Sequence, residues 1–122
     1  MLRNARFGTR DLPRAREFYD ALAATLGASR VFDQEDLSGW RGPSGAMLLI
    51  GIPLQGEATA GNGSQVVIEA ESRAAVDAAY AEATRRGGKC EGPPGMRGDA
   101  FYAAYFRDLD GNKLVVICTQ PE

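Results

Sequence analysis

The chain has 122 residues, 44% of them hydrophobic and 25% charged, with a net charge of −2. This is the size of one ordinary domain, with enough apolar side chains to build a core. The acidic balance excludes nucleic acid and membrane surfaces as expected partners, because both call for basic patches. The longest apolar run, Ala46–Ile52, is too short to cross a bilayer.

Cysteine and histidine usage narrows the chemistry. The chain holds two cysteines, Cys90 and Cys118, and no histidine, so Ser-His-Asp catalysis is excluded. No secretory signal is visible, because Arg3 and Arg6 interrupt the N-terminal segment. We therefore expect a cytoplasmic protein whose two thiols are free.

The first half of the chain reads as a strand, a helix and three short strands. Residues Leu2–Gly8 alternate as a strand does. A helix is predicted over Leu12–Leu26, because apolar residues recur every three or four positions, Asp11 is a good N-cap and Pro13 falls in the first turn. Gly27 should end it. The short strands are predicted at Arg30–Gln34, Leu37–Arg41 and Ala46–Ile52.

The second half repeats that order after a linker of about residues 53–63. A strand at Ser64–Ala70 precedes a helix that begins after Ser72 and ends at the Gly87–Gly88 pair. The segment Glu91–Asp99 is rich in Gly and Pro and is predicted to be a loop. The last two strands form a hairpin that turns at Asp108–Asn112, where Asp-Gly favours a tight turn.

Three segments resemble the vicinal oxygen chelate superfamily, which includes glyoxalase, bleomycin-resistance and extradiol dioxygenase proteins. They are GTRDLPRAREFYDALAATLGA at 8–28, SQVVIEAESRAAVDAAYAEATRRGG at 64–88 and FYAAYFRDLDGNKLVVI at 101–117. The resemblance implies an α+β fold of two paired βαβββ modules whose mixed sheets curl around a cleft. Residues 1–122 would then form a single domain, with modules of about 1–56 and 63–122.

Enzymes of this superfamily usually hold a divalent metal with His and Glu side chains. The resemblance puts the ligand positions at Asn4, Gln65 and Val115, with the remaining one in Met47–Ile50. Amides and aliphatic carbons are not ligands for zinc, nickel or iron, and a hard cation needs several carboxylates. We therefore predict no metal site and no cofactor.

If Asn4 and Gln65 face the cleft, as the family's ligands do, strand alternation predicts which of their neighbours face it too. Trp40 is a candidate aromatic wall. Tyr102 is an aromatic candidate on the next-to-last strand, although alternation does not decide whether its face or that of Phe101 points inward. The candidate ligand-binding residues are Asn4, Arg6, Trp40, Gln65, Val67, Glu69, Tyr102, Val115 and Ile117.

Arg6 and Glu69 are the charged members of this set. They either orient the polar group of a ligand or pair with each other, because an unpaired buried charge is costly. Glu69 is also the one candidate catalytic residue, as a general base.

Three functions stay open at this stage. The favoured one is metal-independent binding of a small organic molecule, similar to the superfamily's drug-sequestering resistance proteins. The alternatives are a metal-free lyase or isomerase of the glyoxalase type that uses Glu69, and a structural or regulatory homologue with a filled cleft. The resemblance also implies a homodimer, whose partner would cover open sheet edges.

Overall fold

Two βαβββ modules follow one another in the computed structural model, which describes residues 1–122. The first contains β1 (Asn4–Gly8), α1 (Leu12–Thr25), β2 (Ser29–Asp33), β3 (Leu37–Arg41) and β4 (Met47–Gly51). The second contains β5 (Val66–Glu69), α2 (Arg73–Arg85), β6 (Lys89–Arg97), β7 (Phe101–Arg107) and β8 (Lys113–Cys118).

Each module forms its own four-stranded mixed sheet, which confirms the predicted α+β fold. The strand orders are β1-β4-β3-β2 and β5-β8-β7-β6, so β1 and β5 are both edge strands. Each of them pairs in parallel with the last strand of its module, and the other pairs are antiparallel. Residues 52–65 connect the two sheets without a helix or a strand.

Both helices begin where the sequence predicted and end within one or two residues of the predicted ends. The Asp11 carboxylate accepts the backbone N–H of Arg14 at 3.1 Å, and the Ser72 hydroxyl accepts that of Ala75 at 3.0 Å. Gly27 takes a φ of +68°, a left-handed conformation that a side chain would oppose. Neither helix has the length and hydropathy that crossing a membrane would require.

The core lies between the helices and the sheet faces that turn toward them. The two helices pack on each other, and each packs on the sheet of its own module. Leu114, Val116 and Cys118 are almost fully buried in this core, as alternation along the last strand predicted. Phe18 and Phe106 are the largest fully buried side chains.

The predicted loop at Glu91–Asp99 is wrong, because β6 extends over Lys89–Arg97. This strand is the edge of its sheet, and its register against β7 shifts on both sides of Gly92. Proline has no N–H to donate, so within sheets it is confined to edges and bulges. Pro93 and Pro94 occupy such a position. The Gly- and Pro-rich composition of this segment is therefore that of an irregular edge strand.

The turn between β7 and β8 joins the two modules through a buried carboxylate. Asp108 accepts the Tyr19 hydroxyl of α1 at 2.6 Å. It also accepts the backbone N–H groups of Asp110 and Asn112, each at 2.9 Å, and the Asn112 side-chain nitrogen at 3.0 Å. Burial raises the pKa of Asp108, and these hydrogen bonds act in the opposite direction.

The same turn binds the end of β1. Asp110 accepts the Thr9 hydroxyl at 2.6 Å and the backbone N–H of Arg10 at 2.9 Å. The Asn112 side chain donates to the Gly8 carbonyl at 3.0 Å. We call the contact of residues 108–112 with Gly8–Arg10 and Tyr19 the junction.

Candidate functional site

A groove of about 720 Å³ opens between the modules. On one side it is lined by β1, the start of β4 and the second half of α1, and on the other by β5 and the residues after β8. The lining is mostly hydrophobic. The groove is therefore a large apolar concavity that both edge strands, β1 and β5, border.

The floor of the groove is built by the apolar stripe of α1. Tyr19, Leu22, Ala23 and Leu26 line it, and all four follow the helical spacing that the sequence shows. Sequence reasoning identified them only as core residues and missed their part in the groove. The available signal was Leu26, an apolar residue at the helix end that stays only partly buried.

Trp40 forms a fixed aromatic wall of the groove. Alternation along β3 places it on the helix side of the sheet, where it is 4% exposed. Its indole N–H donates to the Asp20 carboxylate at 2.9 Å, and its ring centroid lies 5.4 Å from that of Tyr19. The two rings are therefore held rigidly at the edge of the groove, with little of either exposed.

The polar groups of the groove are acidic or neutral. Asn4, Glu69 and Glu71 line it, and no Lys or Arg does. The Glu69 side chain is exposed and takes part in no hydrogen bond or ion pair. The groove thus offers an apolar surface with carboxylates at one side, which suits a ligand that carries hydrogen-bond donors or positive charge.

The structure brings together four of the candidate residues in this groove, Asn4, Trp40, Val67 and Glu69. Gln65 is exposed and lies outside the lining. Arg6 also lies outside it: its guanidinium donates to the Ile52 carbonyl at 3.1 Å and lines a separate polar pocket. Arg6 and Glu69 therefore form no ion pair, and no such pair fills the space between the modules.

The remaining candidates lie on the two faces of the second sheet. Val115 and Ile117 are register partners of Val67 and Glu69, so they continue the sheet face beside the groove without lining it. Tyr102 lies on the opposite face, where its hydroxyl donates to Asp77 of α2 at 2.6 Å. The face of β7 that accompanies Val115 is accordingly the other one, that of Phe101, Ala103 and Tyr105.

The ligand positions inferred for a divalent metal do not fit such an ion. Asn4 lines the groove and Gln65 is exposed outside it. Val115 is buried, and its partner on β5 is Val67, not Gln65. On β4, the partners of Asn4 and Arg6 are Met47 and Leu49. No three His, Cys, Asp or Glu side chains cluster as metal ligands. The donor set lacks the imidazole, thiolate or paired carboxylates that transition metals require.

Comparison with known proteins gives a consistent family. The model of the Glyoxalase/Bleomycin resistance protein/Dioxygenase superfamily matches residues 4–116. A crystal structure of a glyoxalase/bleomycin resistance protein from Albidiferax ferrireducens T118 is 37% identical, with a TM-score of 0.91 and 99% of each chain covered. No curated protein matches the chain.

More distant structures share the fold. A glyoxalase/bleomycin resistance protein/dioxygenase family enzyme from Burkholderia phytofirmans PsJN is 14% identical with a TM-score of 0.76, covering 97% of this chain and 98% of that one. A lactoylglutathione lyase from Agrobacterium tumefaciens is 19% identical with a TM-score of 0.70, covering 97% and 92%. At these identities the likeness concerns the fold alone.

Proposed function

This chain belongs to the Glyoxalase/Bleomycin resistance protein/Dioxygenase superfamily, and from that premise we propose that it binds a small organic molecule in the groove without a metal ion. The observation that carries the proposal is the groove itself. Its volume of about 720 Å³ falls within the roughly 300–1,000 Å³ typical of ligand sites. Its mostly apolar lining with a few polar groups is the usual composition of such sites.

The charge of the lining narrows the ligand class. Glu69 and Glu71 contribute carboxylates, Asn4 contributes an amide, and no cation accompanies them. Arg6 lies in another pocket, so the groove lacks the positive partner that an anionic ligand would need. We propose a ligand with an apolar or aromatic body, packed on the half-buried apolar lining such as Leu26 and Leu48 beside Trp40, and a cationic or hydrogen-bond-donating end near Glu69.

A substitution that fills the groove tests this proposal. Val67 lines the groove and is 53% exposed, so Val67→Trp adds volume in the groove without disturbing the core. Val31 is a matched control: it lies on β2, is 49% exposed and does not line the groove. Native mass spectrometry of mildly purified protein, followed by titration with the molecule found or with a small-molecule library, measures binding.

We expect Val67→Trp to weaken ligand binding at least tenfold and Val31→Trp to leave it unchanged. If no small molecule is retained and none in the library binds, the binding proposal is wrong. Equal affinity of wild-type protein and Val67→Trp would place the ligand outside the groove.

Metal independence has its own measurement. Because Asn4, Gln65 and Val115 stand where ligands would be needed, elemental analysis should find no stoichiometric zinc, nickel, iron or manganese. Chelator treatment should leave ligand binding unchanged. About one such ion per chain, removed by chelator with loss of binding, would contradict this part of the proposal.

A second candidate function is a metal-free lyase or isomerase. It is favoured by one observation, the Glu69 carboxylate, which lines the groove without a protein partner and could accept a proton from a bound molecule. With the bound molecule identified, turnover is compared in wild-type protein and Glu69→Gln. Loss of turnover in Glu69→Gln at a saturating concentration of that molecule supports the enzyme; absence of turnover in the wild type leaves binding alone.

We also propose that the protein is a homodimer in the cytoplasm. Support for the dimer comes from the sheet edges β1, β2, β5 and β6, and from exposed apolar side chains that a partner would cover, among them Phe32, Leu54 and Met96. Support for the location comes from two unpaired cysteines, Cys90 and Cys118. Light scattering that gives the monomer mass of 13.0 kDa at micromolar concentration would contradict the dimer.

A further inference from the structure

We propose that a second site, separate from the groove, binds a small oxyanion of the phosphate class. This site, which we call the linker pocket, has a volume of about 170 Å³ and lies where residues 59–64 pass between the end of β1 and the start of β8. Its polar lining consists of Arg6, Thr59, Ser64, Asn112 and Lys113. The volume is far above the roughly 10–15 Å³ that one water molecule needs.

The charge of the linker pocket is positive although the chain is acidic. Arg6 and Lys113 are its only charged residues, and no carboxylate lines it, whereas the whole chain carries a net charge of −2. Arg107, and at longer range Lys113, lower the pKa of Glu91, but that carboxylate is paired with Arg107 at 2.6 Å. The two cations of the pocket therefore have no acidic partner within ion-pair distance.

Most hydrogen-bond donors of the pocket have no acceptor in the protein. Of the five N–H groups of a guanidinium, Arg6 uses one, toward the Ile52 carbonyl at 3.1 Å. The Lys113 ammonium makes no hydrogen bond or ion pair and lies 5.7 Å from the Tyr105 ring centroid, a weak cation–π contact that leaves its N–H groups free for an anion. Because an oxyanion accepts several charge-assisted hydrogen bonds at once, it matches this excess of donors.

The walls of the pocket are held by the junction. The Asn112 side-chain nitrogen donates to the Gly8 carbonyl and to Asp108, both at 3.0 Å, and so ties β8 to β1. Asn112 thereby shapes the pocket, since its donors are already used. Lys113 follows it directly in sequence, and Arg6 precedes Gly8 by two residues on the same side of β1. The junction thus holds in place the backbone that carries both cations, which lowers the cost of bringing them together around a ligand.

The linker pocket and the groove differ in sign, and this separates the two proposals. The groove holds carboxylates and no cation, while the linker pocket holds cations and no carboxylate. An oxyanion has no favourable place in the groove. Binding in the linker pocket therefore neither requires nor follows from a ligand in the groove.

An NMR titration with inorganic phosphate tests the proposal on the intact chain. The chain has two lysines, Lys89 and Lys113, and Lys89 is exposed and lies outside the pocket, which makes it an internal control. We expect phosphate to shift the Lys113 ammonium signal and the backbone amides of Thr59 and Ser64, with saturation in the millimolar range, and to leave the Lys89 signal in place.

Variants sharpen the titration. Lys113→Met and Arg6→Met should each weaken phosphate binding at least tenfold, while Lys89→Met should bind as the wild type does. Phosphate should raise the melting temperature of wild-type protein and Lys89→Met and not that of Lys113→Met, because a ligand stabilises only the form that binds it. This thermal readout also verifies that each variant is folded.

Two further probes identify the anion class. Acetate should bind more weakly than phosphate, and glycerol phosphate, compared with inorganic phosphate, shows whether the site takes the free ion or a monoester. Shifts that are equal at both lysines, or that never saturate, would reduce the effect to general charge screening and overturn the proposal. Acetate binding as tight as phosphate binding would overturn the phosphate class.

Discussion

The two ends of β1 meet the second module in opposite ways. At Asn4 the strand borders the groove, and its side chain has no hydrogen-bond partner in the protein. At Gly8 and the residues after it, the chain is tied to the turn at 108–112 by three hydrogen bonds, two of which are half-buried. The difference predicts that the junction, together with the contact between the two helices, holds the modules together and that the groove end contributes little.

The largest expected effect is at the buried carboxylate of the junction. Asp108 is 5% exposed and accepts four hydrogen bonds. Asp108→Ala removes the acceptor from all of them, while the cost of burying the carboxylate disappears as well. Because each buried donor left without a partner costs about 1–3 kcal/mol, we expect a net loss of about 3–4 kcal/mol in the free energy of unfolding, measured with urea.

Asp99→Ala is the matched control for this substitution. Asp99 is exposed and makes no hydrogen bond or ion pair, so its loss should change stability by less than about 0.5 kcal/mol. If Asp108→Ala lowered the free energy of unfolding by less than about 1 kcal/mol, the junction would not be what holds the modules together. The proposed difference between the two ends of β1 would then be wrong.

The next effect is at Tyr19, the junction's contact with α1. Tyr19→Phe removes a 2.6 Å hydrogen bond to the Asp108 carboxylate, and a bond to a charged group contributes about 1.5–3 kcal/mol. Tyr102→Phe is its control, since the Tyr102 hydroxyl makes a bond of the same length to Asp77 at the surface. We expect about 2 kcal/mol for Tyr19→Phe and less than 1 kcal/mol for Tyr102→Phe. Similar losses of stability in both variants would show that the junction hydrogen bond stabilises the protein no more than a surface one does.

Alkaline pH gives a second readout of Tyr19. Burial, and then the Asp108 carboxylate, raise the pKa of Tyr19 well above its ordinary value of 10.0. The folded state therefore keeps the phenol proton at a pH where the unfolded state has lost it, so stability is constant below that value and falls as pH rises above it. Urea unfolding at increasing pH should show this decline in the wild type and a shallower one in Tyr19→Phe. Equal slopes would show that Tyr19 is not the buried phenol responsible.

Most of the fold followed from local signals in the sequence. Asp11 and Ser72 are N-caps, and the Asp-Gly pair in the last turn needs a left-handed residue, which Gly111 supplies with a φ of +88°. Such signals act between residues close in sequence. The strand β6 was missed because its antiparallel pairing with β7, in a hairpin that turns at residues 98–100, overrides the turn preference of Pro93 and its neighbours.

The candidate site was predictable only within single strands. Alternation correctly placed Val67 and Glu69 on one side of β5, away from the core. It does not determine how two sheets lie relative to each other, because that depends on packing between helices. For this reason Arg6 and Glu69 were expected in one cleft and occur in two sites of opposite charge. The pattern also gave no sign that Tyr102 faces α2.

A smaller effect on stability is expected when the same substitution, Thr to Val, is made at each end of the module interface. The Thr9 hydroxyl is buried in the junction and donates to Asp110 at 2.6 Å, whereas Thr119 is exposed at the groove. Thr9→Val should lower the free energy of unfolding by about 1–2 kcal/mol through the lost hydrogen bond. Thr119→Val should be neutral within about 0.5 kcal/mol. Equal losses in the free energy of unfolding would show that both ends of the interface contribute equally to stability.

The smallest effect on stability is expected at Glu69. It tests whether the groove end of the interface contributes to the stability of the fold. Glu69→Gln keeps the shape of the side chain and removes its charge, and no protein group is bonded to that carboxylate. Exposed substitutions away from specific contacts change stability by less than about 0.5 kcal/mol, so the urea unfolding curve should superimpose on that of the wild type. Any ligand with a cationic or donor group should nevertheless bind Glu69→Gln more weakly, because it loses a charge-assisted hydrogen bond. A large loss of stability with unchanged ligand affinity would contradict this assignment. Glu69 would then stabilise the fold, and the polar end of the ligand would lie elsewhere in the groove, whose other polar side chains are Asn4, Ser44, Glu71, Thr119 and Gln120.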